Sequence, residues 1–149
     1  MIKKISTDVV KLSKKSVKCY FSDIEVHRNK TIIQDMLDTI EENKEICIGL
    51  AASQIGEHRR IIIVVINKKP VVMVNPVSIP VKSAGIKKYK EGCMSFPERM
   101  YVNRVIKRRY KKIKVTYQLV TGAKMFAIFK GLPAVMVQHE IDHLNGIAI

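Results

Sequence analysis

The chain has 149 residues, 47% of them hydrophobic, and a formal net charge of +14 from 27 Lys and Arg against 13 Asp and Glu. That length suits a single domain, 1–149, with a sizeable core. No apolar run approaches the roughly 18 residues of a membrane span, so no membrane partner is expected. Three widely spaced cysteines, Cys19, Cys47 and Cys93, argue against a disulfide framework. The opening MIKKISTDVVKLSKK has no long apolar stretch after its lysines, unlike a secretory signal. A reducing cytoplasm is the expected place.

Residues 31–44, TIIQDMLDTIEENK, put Ile32, Ile33, Met36, Leu37 and Ile40 at helical spacing, which predicts an amphipathic helix. CIGLAASQIG (47–56) is small and apolar, with Gly49 and Gly56 breaking regularity, and reads as a tight buried loop. RIIIVVI (60–66) and VVMVNP (71–76) predict strands joined by a turn at 67–70, after which Pro76 and Pro80 interrupt regular structure. EGCMSFPE (91–98) is irregular, bounded by Gly92 and Pro97. Arg104 to Lys114, RVIKRRYKKIK, holds seven basic residues in eleven. It reads first as the solvated face of a strand pair, because no nucleic-acid motif accompanies the charge. Weak contact with RNA or the ribosome is the functional alternative. From Ile113 the alternation is clean, with Ile113, Val115, Tyr117 and Leu119 on one side and Lys114, Thr116 and Gln118 on the other. Thr121-Gly122 make a turn and Lys124 to Phe129 return as a partner strand. GLPAVMVQHEIDHLNG predicts a second helix, with Pro133 in its first turn and Asn145-Gly146 at its stop. Two helices and antiparallel-looking strands without βαβ alternation predict an α+β fold.

QHEIDH (138–143) carries the chemistry. Residues four apart on a helix lie about 40° apart around the axis, so His139 and His143 point the same way and can grip one metal ion. Glu140 stands beside the first ligand, near enough to act on water without binding the metal. Two ligands do not complete a catalytic site. The slot for a third histidine six residues after His143 is Ile149, so the ligand must come from upstream. His27 and His58 sit in polar stretches, and Cys19 and Cys47 have neighbours that suit buried thiols. Cys93 is the strongest candidate: it follows Gly92, which permits close backbone approach, and its thiolate suits Zn²⁺ or Fe²⁺.

Three stretches then line up with a known family. Cys47-Ile48-Gly49-Leu50-Ala51-Ala52-Ser53-Gln54, Glu91-Gly92-Cys93-Met94-Ser95 and Gln138-His139-Glu140-Ile141-Asp142-His143 resemble, in order and spacing, the three motifs of the peptide deformylases. The resemblance covers about residues 30 to 149. It departs at Cys47, where the family has glycine and where a positive φ would be strained, and at Asp8-Val9, where many members have Asp-Pro. Most members continue past Gly146 into a C-terminal helix. This chain is similar to compact phage forms without it, which would place it in a host cytoplasm.

The resemblance implies antiparallel sheets around the motif helix and removal of the formyl group from the formyl-methionine of new polypeptides. It implies Cys93, His139 and His143 as ligands of one divalent ion, Fe²⁺ first, with Zn²⁺, Ni²⁺ or Co²⁺ as alternatives. Glu140 is the implied general base, with the Gln54 amide and the Met94 backbone N–H as oxyanion donors. Ile48, Gly49, Val135 and Met136 are the candidates for the methionine pocket, with Leu132 beside them. The substrate backbone is expected to pair with the edge near Gly49 as an added strand. Glu91 is expected to pair with a cation, and Arg104 is the chosen partner. Two rivals remain: another metal-dependent amidase or peptidase on the same site, and a basic RNA- or ribosome-binding protein with a structural metal.

Overall fold

The computed structural model describes residues 1–147 and Ile149. Its elements in order are α1 (Val9–Leu12), α2 (Asp23–Glu42), β1 (Gly49–Ala51), β2 (Ile61–Ile66), β3 (Lys69–Pro80), β4 (Ile86–Glu91), β5 (Val105–Tyr110), β6 (Lys112–Gln118), β7 (Lys124–Lys130) and α3 (Leu132–Leu144). Short 3-10 turns lie at Ala52–Ile55, Lys82–Ala84 and Pro97–Arg99. Every strand pair is antiparallel, in a five-stranded sheet ordered β1-β2-β3-β6-β7 and a two-stranded ribbon β4-β5.

The continuous apolar run of β2 has a simple cause. Ile61 and Ile63 face one core cluster with Ile32, Met36 and Ile40 of α2. Ile62 and Val64 face a second, with Ala134, Met136, Val137 and Leu144 of α3. The sheet is covered on both faces at β2, so neither face of that strand needs polar residues. Each buried Ile, Val, Leu or Met side chain among these contributes about 1.5–3 kcal/mol relative to exposure.

Several boundaries differ from the sequence expectation. Helix α2 begins at Asp23, not at 31, because Ser22 caps it: its hydroxyl accepts from the Glu25 N–H at 3.3 Å. The first turns carry only Ile24 and Val26 as apolar residues, with Ile24 exposed, so apolar spacing does not reveal them, although Ser22-x-x-Glu25 is a capping signature. The 47–56 stretch is not wholly a loop, since Gly49–Ala51 pair with β2. β3 runs through Pro76 and ends at Pro80; it passes Pro76 because its register with β6 shifts between Val74 and Val77, where no ladder N–H is required of that proline. In that bulge Asn75 adopts φ 50°. Its side chain accepts from Cys19 N–H at 2.8 Å and donates to Cys19 O and Gln118 Oε1, each at 3.0 Å, tying the N-terminal segment to the sheet. The basic run 104–114 spans β5 and the start of β6, as its strand-pair reading expects.

Candidate metal centre

Helix α3 lies against β1, β2 and β3 and presents the inner turn of its motif to the loop after β4. Gln138 helps fix its rotation: its amide accepts from Tyr110 N–H at 3.0 Å and donates to Tyr110 O at 2.8 Å, acting as a strand partner for β5. On the inward face the His139 and His143 rings meet edge to face, centroids 4.9 Å apart. The Cys93 loop closes by an Sγ-bearing turn in which Phe96 N–H donates to Cys93 O at 2.9 Å. A Cβ on Gly92 would come within 3.0 Å of Met100 O, so the loop's close packing requires glycine there.

The structure brings Cys93, His139 and His143 together. Their ligand atoms all lie within 4.8 Å of one another, and all three residues are buried. Cys93 Sγ is 3.2 Å from His143 Nε2, and the two Nε2 atoms are 3.2 Å apart. Tetrahedral bonds of about 2.0–2.3 Å set ligand atoms about 3.3–3.6 Å apart, and the two spacings that His143 makes come within a few tenths of an ångström of that. One thiolate and two imidazoles are also the right donor chemistry for a borderline-soft divalent cation.

The surrounding polar groups orient these ligands. His139 Nδ1 donates to Glu91 Oε1 at 2.8 Å, which leaves Nε2 to face the centre. Glu91 is gripped by Arg109, Nε to Oε2 and Nη2 to Oε1, both at 2.8 Å. Arg109 Nη1 donates to Asp142 Oδ2 at 2.6 Å. Arg109, not Arg104, is therefore the partner of Glu91. Arg104 is exposed and donates from Nε to Met100 O instead. The arginines at 104, 108 and 109 are indistinguishable by composition, and only strand pairing selects among them. Register sets Arg109 opposite Lys87, on the side of the ribbon that Glu91 shares.

Burial alone would push Glu91 up; the guanidinium and the His139 N–H outweigh it and hold the carboxyl at about 2. Burial likewise lowers His139, but its bonds to Cys93 and Glu91 carry it up to about 10. A divalent cation would take the place of that proton. Burial, reinforced by His139 and Arg109, pushes His143 down to about 3 and keeps it neutral. Glu140 is raised by burial to about 7, and its Oε2 has no partner among the described residues. Such a carboxylate is poised to take and return a proton near neutrality.

Gln54, in the turn after β1, is buried. Its Oε1 accepts from Ala51 N–H at 2.9 Å, and its Nε2 donates to Ser95 Oγ at 3.1 Å and lies 3.6 Å from Cys93 Sγ. Ser95, which closes the second motif, is a partner of Gln54 that residue type alone does not single out. Gln54, Met94, Ile48, Gly49, Val135, Met136 and Leu132 all line one cavity of about 370 Å³ with Cys93, His139 and Glu140. Val135 and Met136 are buried, whereas Ile48 is 52% and Leu132 58% exposed, at the cavity mouth. Cys47 is not among the residues with positive φ, so the strain considered for it does not arise. Its buried thiol lies 3.4 Å from Gly49 O and, through desolvation, is pushed up to about 12, as Cys19 is to about 11. No helix among the described residues is long and apolar enough to cross a membrane.

The chain is similar to known proteins in sequence and in fold. The family profile described as polypeptide deformylase matches residues 2–149. The peptide deformylase of Wigglesworthia glossinidia brevipalpis is 40% identical over 121 residues, 78% of this chain and 74% of that one. That of Clostridium beijerinckii is 34% identical over 149 residues, 100% of both. Among solved structures, a peptide deformylase from Legionella pneumophila superposes with a TM-score of 0.82 at 33% identity, covering 98% of this chain and 82% of the other. That of Thermotoga maritima does so with 0.83 at 31%, covering 99% and 94%. The α+β architecture of antiparallel sheets with a C-terminal helix is the fold this chain shares with these relatives. The chain belongs to the peptide deformylase family, hydrolases that remove the formyl group from the N-terminus of nascent polypeptides.

Proposed function

We propose that residues 1–149 act as one domain in which Cys93, His139 and His143 hold a single divalent ion and Glu140 is the general base of deformylation. The ion of this reading is Fe²⁺, with Zn²⁺, Ni²⁺ and Co²⁺ compatible with the same donors. When bound, it supplies Lewis-acid polarisation and lowers the pKa of water toward about 7. Glu140 accepts the proton of the attacking water and delivers it to the leaving amine, which its position near 7 suits. The developing oxyanion takes hydrogen bonds from the Gln54 amide and the Met94 N–H. Each such donor is worth about 10²–10³ in rate. Val135 and Met136 seat the methionine side chain, while Ile48 and Gly49 flank the extended substrate. β1 pairs with β2 alone in its sheet, which leaves an edge for the substrate backbone. Actinonin, bound in the Acinetobacter baumannii structure, is expected to occupy the same cavity. The protein works in the cytoplasm, and its basic surface makes weak contact with RNA.

The observation that carries the proposal is the convergence of three ligand atoms within 4.8 Å beside a buried carboxylate oxygen that has no partner among the described residues. Formate release and metal content, measured together on wild type and Glu140→Ala, test it. The expected outcome is near-complete loss of turnover with the metal retained. Comparable hydrolysis of formyl-Met-Ala-Ser and acetyl-Met-Ala-Ser would instead point to a general amidase.

A further inference from the structure

The β4–β5 ribbon carries positive charge that the fold leaves unneutralised. Residues 58–139 hold 18 Lys and Arg and two acids, Glu91 and Glu98. Glu91 is buried and taken by Arg109 and His139, and Glu98 lies 3.9 Å from Arg99. The remainder, 1–57 and 140–149, holds 9 basic and 11 acidic residues. The whole positive excess therefore belongs to the strand-bearing part of the chain.

Register concentrates it further. Lys88 stands opposite Arg108, and Lys87 opposite Arg109. Like charges directly opposite one another weaken an antiparallel pair. Arg109 is relieved by Glu91 and Asp142, but Lys88 and Arg108 have no ion pair among the described residues. Cross-strand partners and residues two apart share a face, so Ile86, Lys88, Lys90, Ile106, Arg108 and Tyr110 line one side of the ribbon. The opposite side carries Glu91 and Arg109 to the metal centre. All of the first group but Tyr110 are exposed, and Lys111, where the chain leaves β5, adds another exposed cation.

We propose that this outward face binds structured RNA through its phosphate backbone. The inference rests on the RNA-contact reading above and gives it a location. A rigid ribbon with cations in register meets successive phosphates, and each contact releases counterions. The Arg108 guanidinium can grip a phosphate by two bonds. One half-buried tyrosine is no stacking platform, which favours a duplex over a single strand and predicts no base preference. Tyr89 and Lys90 of the same ribbon line the cavity, so RNA held here stands beside the point where substrate enters.

The test uses the metal-loaded full chain and a duplex RNA of about 20 base pairs, titrated from about 50 to 200 mM salt. The ribbon variant combines Lys88→Ser, Arg108→Ser and Lys111→Ser; the control combines Lys14→Ser, Lys15→Ser and Lys30→Ser, with the same change in net charge. The ribbon variant should bind about tenfold more weakly at about 100 mM salt, with a log–log salt slope smaller by about two to three, and the control should change less than about twofold. Its hydrolysis of formyl-Met-Ala-Ser should be unchanged, and without RNA at low salt it should melt above the wild type because repulsion is relieved. Equal weakening in both variants would overturn the location and leave RNA contact standing. No binding of duplex by the wild type would overturn both. Tighter ribbon-dependent binding to vesicles of anionic lipid, or to an acidic peptide, would overturn RNA as the partner.

Discussion

Gly49 and Glu140 touch where no side chain could stand between them. A Cβ on Gly49 would lie 2.7 Å from Glu140 Oε1 and 3.2 Å from its Cδ and Cγ. The glycine of the first motif thus positions the carboxylate of the third. Gly49→Ala must displace that carboxylate. A displacement on the order of 1 Å costs about 10²-fold in turnover. Formate release should fall by that amount while metal content stays at the wild-type level, because no ligand is touched. Undiminished release would show that Glu140 needs no such clearance.

Arg109 joins Glu91 to Asp142 and so ties β4 to α3. Arg109→Met leaves two carboxylates without their partner, one of them buried. Removing one member of a buried ion pair costs about 3–5 kcal/mol, readable as a lower urea midpoint. Metal affinity should also fall about 10–100-fold, because Glu91 would no longer hold His139 in place. Arg104→Met, on the exposed neighbour, should change stability by less than about 0.5 kcal/mol. Similar losses in the two variants would contradict this assignment.

Acid should unfold the metal-free protein through Glu91. Its folded value, about 2, is depressed from the usual 4.5. The stability it contributes is therefore fully present above about 4.5 and is lost as pH falls through the window toward 2. The gap corresponds to about 3 kcal/mol. Urea midpoints measured across that window should decline in the wild type and lie flatter in Glu91→Gln. An equal slope in both would assign the acid transition elsewhere.

The β2–β3 turn stores a smaller, separable strain. Asn67 and Lys68 both adopt positive φ, 51° and 64°. Asparagine tolerates that region and lysine does not, so Lys68→Gly should stabilise the protein by about 0.5–1 kcal/mol with activity unchanged. A lower melting temperature would mean that the unfolded-chain entropy of glycine outweighs the relieved strain.

The helix carrying His139 and His143, the alternation of β6, the return of β7 as its partner and the apolar run of β2 were all legible along the chain. Each rests on spacing within one element, where period and capping act locally. The early start of α2 was legible only as a capping pattern, and the passage of β3 through Pro76 was not legible, because a bulge depends on the partner strand. The same division runs through the site. Glu140 and the two histidines follow from one helical turn. Cys93 among three cysteines, by contrast, was preferred on its neighbours and by resemblance, and its approach to the imidazoles is a matter of loop packing.

By itself the sequence determined the donor types, the helix that carries two of them and the excess of positive charge, because composition and short-range periodicity are properties of the chain. Only tertiary structure decided that Arg109 rather than Arg104 holds Glu91, that Gly49 makes room for Glu140 and that Lys88 faces Arg108 unrelieved. Those pairings join strands and helices far apart in sequence, and strand register and burial, which set them, exist only once the sheet and α3 have packed.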